Sequence, residues 1–309
     1  MRIRKALTGG LAATQLGILL TLIAPGTAGA TPEIAECGVW AKSTIASGHG
    51  TLENLAFDGR GGLLLSELSL TGSGGALRRL TPDGALSTVA PIESPGGIVV
   101  SGATAYINSG NTLRSGLTDT PDGSIQSVDL TTGTVTTAAS GLRMPNGLAQ
   151  LPDGSFVVSR DLGSSTALTR IAADGTGAHP LAPDLTFTNG LAYDPSRRKL
   201  FVSTTFDSTT TIAAIAIDNP SAAPTRITLP GFGPLNSADD LTLGPDGAVY
   251  VTLNVAGQVV RVDPDTGHHC TIADNLPFAT SVRFGQGPGW DPNSAYVTSF
   301  LGTVTRLTP

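Results

Sequence analysis

The chain is poor in most of the residues that announce a chemistry. Its 309 residues include two cysteines, four histidines, two methionines and two tryptophans, and only 14% are charged. The cysteines, Cys37 and Cys270, are too far apart for a Cys-x-x-Cys redox or zinc motif. No His-Glu-x-x-His, Gly-x-Ser-x-Gly or Gly-Lys-Ser/Thr occurs, which removes the common zinc-protease, serine-hydrolase and nucleotide-binding signatures. With a formal charge of −6 and no Lys/Arg run, the chain lacks what a nucleic-acid partner requires. After residue 30 no apolar stretch approaches the ~20 residues of a membrane span. Nor does a 3.6-residue apolar period persist for three turns, so helical architectures are excluded too.

The first thirty residues differ from the rest. Arg2, Arg4 and Lys5 precede a largely apolar stretch from Leu7 to Ile23, and Ala28-Gly29-Ala30 follows. That is the layout of a signal peptide, residues 1–30, and it predicts a secreted or extracytoplasmic protein with no membrane anchor after cleavage. Removal of the three cations takes the formal charge to −9. Glu36 before Cys37 rules out a lipoprotein site, where a small residue is required. In an oxidising compartment a lone cysteine pair favours a bridge, Cys37–Cys270, worth roughly 5 kcal/mol through the long loop it closes.

What the mature chain has is glycine, proline and short β-runs. Val/Thr/Ile/Leu stretches of four to seven residues alternate with Asp-Gly and Pro-Asp-Gly, the punctuation of hairpins. Asp83, Asp122, Asp153, Asp174, Asp246 and Asp265 read as turn residues in this pattern. A longer repeat lies above it. Asn146-Gly147-Leu148-Ala149 and Asn189-Gly190-Leu191-Ala192 share one frame with Asp239-Asp240-Leu241-Thr242 and Glu53-Asn54-Leu55-Ala56. Gly96 and Thr280 complete the series, at intervals of 43, 50, 43, 50 and 41 residues. Periods in the forties with about four strands each predict an all-β, six-bladed β-propeller over residues 31–309. Only 29 residues follow Thr280, enough for three strands. Trp40–Ile45 is therefore expected to close the last blade as its N-terminal strand, bringing Cys37 beside Cys270 and covering sheet edges.

Inner strands of a propeller border its axis, so Glu53, Asn146, Asn189 and Asp239 are expected to converge. Two carboxylates and two carboxamides suit a hard divalent cation. Calcium is the natural choice outside a cell, with zinc, manganese and magnesium also compatible. His49 can approach the channel mouth from four residues before Glu53. Glu67 and the pair Arg160-Asp161 end second strands, where they can face the pocket entrance, but loop charges of this kind read first as solvated, as do His268 and His269.

In the segments Glu53–Glu67, Pro145–Ser159, Thr188–Ser203, Ala238–Gly267 and Thr280–Ser299, the chain resembles the senescence marker protein, gluconolactonase and luciferin-regenerating enzyme family of six-bladed propellers. The resemblance implies a channel cation held by Glu53, Asn189 and Asp239, with Asn146 contacting metal-bound water or substrate. It also implies that Asp239 is the base in lactone hydrolysis. The chain departs from the family where Asn54 and Asp240 replace the usual glycine, leaving Asp239 and Asp240 to compete for the inward position and making Asp240, with Asn146, a candidate for contact with substrate or metal-bound water. The expected protein is a metal-dependent, lactonase-like hydrolase of a small-molecule cyclic ester. The alternatives are a non-catalytic propeller with a structural metal and a metal-free propeller of the strictosidine-synthase type.

Overall fold

Among the described residues, twenty-four strands form six four-stranded antiparallel sheets, and five of the sheets each use four consecutive strands. The computed structural model describes residues 37–68 and 74–309, so the expected signal peptide lies outside the described residues. The inner strands begin with Thr51–Phe57 in blade one and continue with Ile98–Ser101, Leu148–Gln150, Thr188–Asp194, Ala238–Leu243 and Ala279–Phe284. The repeat frame in the sequence is therefore the innermost strand of each blade.

Blade six is built from both ends of the described chain. Ala41–Ala46 pairs antiparallel with Thr303–Thr308, outside Ala295–Ser299 and Ala279–Phe284. The closing strand is mostly exposed and carries Lys42, consistent with an outermost position. Cys37, just before it, is bridged to Cys270 on the outer strand His269–Ala273 of blade five, with Cα atoms 6.0 Å apart.

Stability lies between the blades. Six buried apolar clusters match the six junctions of neighbouring sheets. Leu191, Leu200 and Ile215 of blade four, for example, pack on Val157, Leu168 and Leu181 of blade three. Most inner and second strands are buried on both faces, which explains why their β-runs read as almost continuously apolar. Six aromatics gather at the two junctions of blade six. Trp40, Tyr250 and Phe284 pack together on one side, and Phe57, Trp290 and Tyr296 on the other, with centroids 4.8–6.2 Å apart. At roughly 1 kcal/mol per pair beyond burial, these contacts reinforce the junctions where the ring is joined.

Two short helices, Leu113–Thr118 and Gly233–Asn236, interrupt the β structure among the described residues. The first is capped by Thr112, whose hydroxyl accepts from the Ser115 amide at 3.0 Å, and it ends at Asp119 in the left-handed region. At six and four residues, both are too short to show a helical period. Most of the expected turn aspartates accept local amide protons, as Asp153, Asp174 and Asp246 do. In the last hairpin the turn acceptor is Asp263, while Asp265 pairs with Arg197.

Candidate functional site

Each inner strand carries a β-bulge at the variable position of the repeat. Leu52 and Leu55 pair with Glu67 and Leu65, so three steps on the inner strand face two on the next. The same slip occurs at Asn189-Gly190, Asp239-Asp240 and Thr280-Ser281. Backbone bonds place Gly96-Gly97 opposite Asn108 and Asn146-Gly147 opposite Ser159 in the same two-against-one way. A bulge releases two consecutive side chains from strict alternation, which is why such defects recur beside functional sites.

Opposite the bulges stand Ser66, Asn108, Ser159, Ser203, Thr252 and Thr298, all fully buried. Several tie one bulge to the next blade. Ser66 donates to the Gly96 carbonyl at 2.6 Å, Asn108 to the Asn146 carbonyl at 2.8 Å, and Thr252 to the Thr280 carbonyl at 2.8 Å. These are the residues at which the β-runs of the repeat stop, so a recurring polar end to the second strand was their signal.

Glu53, Asn146, Asn189 and Asp239 line one pocket of about 200 Å³, together with Asn111, Asp161, Thr205, Ser237 and Asn254. Strand direction explains the added residues. Second strands end where inner strands begin, so residues just after second strands join the same pocket. Asn111, Asp161, Thr205 and Asn254 follow strands ending at Ser109, Val158, Thr204 and Leu253. Asp161 is buried and not a solvated loop charge. Its neighbour Arg160 turns away to the carbonyls of Leu162, Ser165 and Gly116 and to Asp119. His49 does not line the pocket, and Glu67 pairs with Arg78 at 3.5 Å.

The pocket concentrates negative charge away from water. Burial, reinforced by Asp161 and Asp240, raises the Glu53 carboxyl to about 8. Burial also raises Asp161 to about 6, against a hydrogen bond from Asn146 that favours its ionised form. Asp239 is pushed well above the usual carboxylate range by burial first, and then by Glu53, Asp240 and Asp161. Three buried pocket atoms have no hydrogen-bond partner: Glu53 Oε2, Asp161 Oδ1 and Asn111 Oδ1. All three are acceptors, so what the set wants is positive charge or protons. That fits an oxygen-preferring divalent cation, for which Glu53, Asn189 and Asp239 stand at the starts of three inner strands. Among the described residues, no group of three or more His, Cys, Asp and Glu side chains is placed to hold a metal ion.

Asp240 belongs to a different layer. Its carboxylate accepts from Asn54 Nδ2 at 2.8 Å and from the Ser281 hydroxyl, and pairs with Arg283 Nη1 at 2.7 Å. The competition between the two aspartates is thus resolved in space, since Asp239 lines the pocket and Asp240 does not. Asn54, Asp240 and Ser281 fill the second bulge position in blades one, five and six, where blades two to four have glycine. Those glycines are required by contact: a Cβ on Gly190 would lie 2.6 Å from Asp240 Cα, and one on Gly97 would lie 2.5 Å from the Leu148 amide nitrogen. A larger cavity of about 530 Å³ opens among the far ends of the inner strands, but Arg283 is its only charged lining residue. The clustered chemistry is in the smaller one.

Residues 73–300 match the family described as the SMP-30/Gluconolactonase/LRE-like region, and the chain belongs to that family. The matched stretch includes Asn146, Asn189, Asp161 and Asp239, while Glu53 precedes it. A gluconolactonase from Xanthomonas campestris has a similar fold, with a TM-score of 0.66 at 18% identity over 87% of this chain and 90% of that one. A putative gluconolactonase gives 0.65 at 20% identity, over 87% and 92% of the two chains. The luciferin-regenerating enzyme gives 0.63 at 14%, over 87% and 95%. At these identities the structures attest a shared propeller. Among curated proteins, none matches the chain in sequence.

Proposed function

We propose that the chain is an exported, divalent-cation-dependent hydrolase of cyclic esters, with calcium the leading candidate for the metal. The observation that carries this reading is the buried acceptor cluster of Glu53, Asp161 and Asp239, which has carboxamide neighbours and no lining cation. Family membership supports lactonase-like chemistry, and the Cys37–Cys270 bridge supports an oxidising compartment. Glu53, Asn189 and Asp239 would hold the cation. When bound, it would polarise the ester carbonyl and offset negative charge developing on its oxygen.

The remaining work falls to the chain's own side chains. Asp239 takes a proton from the attacking water as that oxygen bonds to the carbonyl carbon. The ring C–O bond then breaks, and the proton passes to the departing ring oxygen to leave a hydroxy acid. Asn146 orients Asp161, and the pair positions the water. No covalent nucleophile enters, in keeping with the missing serine motif.

The test is a panel of lactones assayed with metal, with chelator, and with metal restored. Hydrolysis should vanish with chelator and return with metal, and Asp239→Ala should remove turnover and weaken metal binding. Full lactonase activity in Asp239→Ala would overturn the assignment.

A further inference from the structure

The pocket's walls differ sharply from its floor. Above the carboxylates and carboxamides, the lining is Leu68, Leu113, Met144, Leu162, Phe206 and Phe300. Among the described residues no Lys, Arg or His lines it, so an anionic group would find no cationic side chain there. Several of the floor's donors are engaged within the protein. Asn111 Nδ2 donates to Glu53 at 3.2 Å, and Asn189 Nδ2 donates to Thr205 at 3.0 Å. Thr205 donates to the Ala238 carbonyl at 2.8 Å, while Asn254 Nδ2 donates to the Ala279 carbonyl at 3.1 Å and to Asp239 at 3.3 Å. The unpaired floor acceptors can serve a few ligand hydroxyls, but hydroxyls spread around a ring would set the remainder against the apolar lining without partners.

The apolar character continues outside the pocket. Of eleven large hydrophobic residues exposed among the described residues, eight lie on the loops and strand ends at this end of the propeller. Phe206, 37% exposed, and Leu113, 51% exposed, belong to both the wall and this rim. Single exposed apolar residues need no explanation, but several gathered at the end of the fold where a concave site opens mark a binding surface.

From this we infer that the substrate is a cyclic ester bearing an alkyl or aryl substituent, with its ester group on the polar floor and its substituent along the Leu113–Phe206 wall, in preference to a polyhydroxylated sugar lactone. The inference rests on the hydrolase reading and names the substrate class of that site.

The test compares kcat/KM for D-glucono-δ-lactone with γ-lactones carrying no side chain, a butyl chain or a hexyl chain, all with metal supplied. Each buried methylene should raise kcat/KM by about fourfold until the wall is covered, putting the butyl lactone at least tenfold above the sugar lactone. Phe206→Ser should flatten the dependence on chain length, and Phe206→Leu should restore it. A sugar lactone hydrolysed as well as the alkyl lactones would overturn the inference while leaving the hydrolase reading intact.

Binding of uncleavable lactams separates the two readings if no lactone turns over. Calorimetry would then compare 5-hexyl-2-pyrrolidinone with D-glucono-δ-lactam. Binding of the alkyl lactam alone would keep the apolar preference and defeat the hydrolase. Binding of the sugar lactam alone, or of neither, would defeat both.

Discussion

Glu53→Gln separates the electrostatic cost of the site from the metal-binding role proposed for it, and the sign of its effect follows from the environment of the side chain. Glu53 is 5% exposed, and burial with neighbouring carboxylates raises its carboxyl from an ordinary 4.5 to about 8. A carboxyl raised on folding favours the folded state below its unfolded value, and that advantage is lost as pH rises toward the folded value. At about 1.4 kcal/mol per pH unit, the metal-free protein gives up roughly 4 kcal/mol by pH 8 through this one group, and under about 1 kcal/mol at pH 5. Glutamine keeps the shape and removes the titration. In chelator, Glu53→Gln should therefore melt well above the parent at pH 8, by roughly 10 °C for a domain of this size, and close to it at pH 5. With calcium added the order should reverse, because the variant has lost a ligand. Thermal melts at both pH values, with and without metal, make the measurement. Equal destabilisation by Glu53→Gln at both pH values in chelator, or an undiminished calcium shift in the variant, would refute the reasoning.

Three further outcomes follow from the same structure. Calcium affinity measured by calorimetry should strengthen as pH rises from 6 to 8, because binding displaces protons from Glu53 and its raised neighbour Asp239. An affinity independent of pH would mean that these carboxylates do not bind the ion. Replacing Cys37 and Cys270 together with serine should cost up to about 5 kcal/mol, since the bridge spans a sequence separation of 233, and an unchanged denaturation midpoint would contradict that. Gly190→Ala should destabilise the fold by about 1–3 kcal/mol, because the new methyl would meet the Asp240 backbone. A neutral result in urea unfolding would show that the inner strands can separate at no cost.

The fold was legible because one frame recurs six times at blade spacing, and because too few residues follow Thr280 for a fourth strand. The bulge explains why a single position in that frame varies: Leu55, Leu191 and Leu241 resume ordinary pairing and must stay apolar, while Glu53, Asn189 and Asp239 escape it. Asp161, Asn111, Thr205 and Asn254 were not legible in the same way. They sit one to three residues beyond their second strands, in loops that share no frame, so no spacing aligns them. Asp161 was further disguised by Arg160, since adjacent opposite charges in a loop suggest a solvated pair. Only the three-dimensional path of the Arg160 side chain toward Asp119 separates them. The division of labour between Asp239 and Asp240 likewise depends on Asn54, Ser281 and Arg283, which come from two other blades.

The strand Ala41–Ala46 finds its partner Thr303–Thr308 only after some 260 intervening residues have been made. During synthesis it is therefore a β-strand with nothing to pair with, the condition most prone to sticking to other chains. Its composition suits that wait, with Lys42, Ser43 and Thr44 in the middle and side chains that remain largely exposed even in the finished ring. Closure of the propeller therefore waits on the most distant strand pairing of the ring, and the cysteine bridge lies beside it.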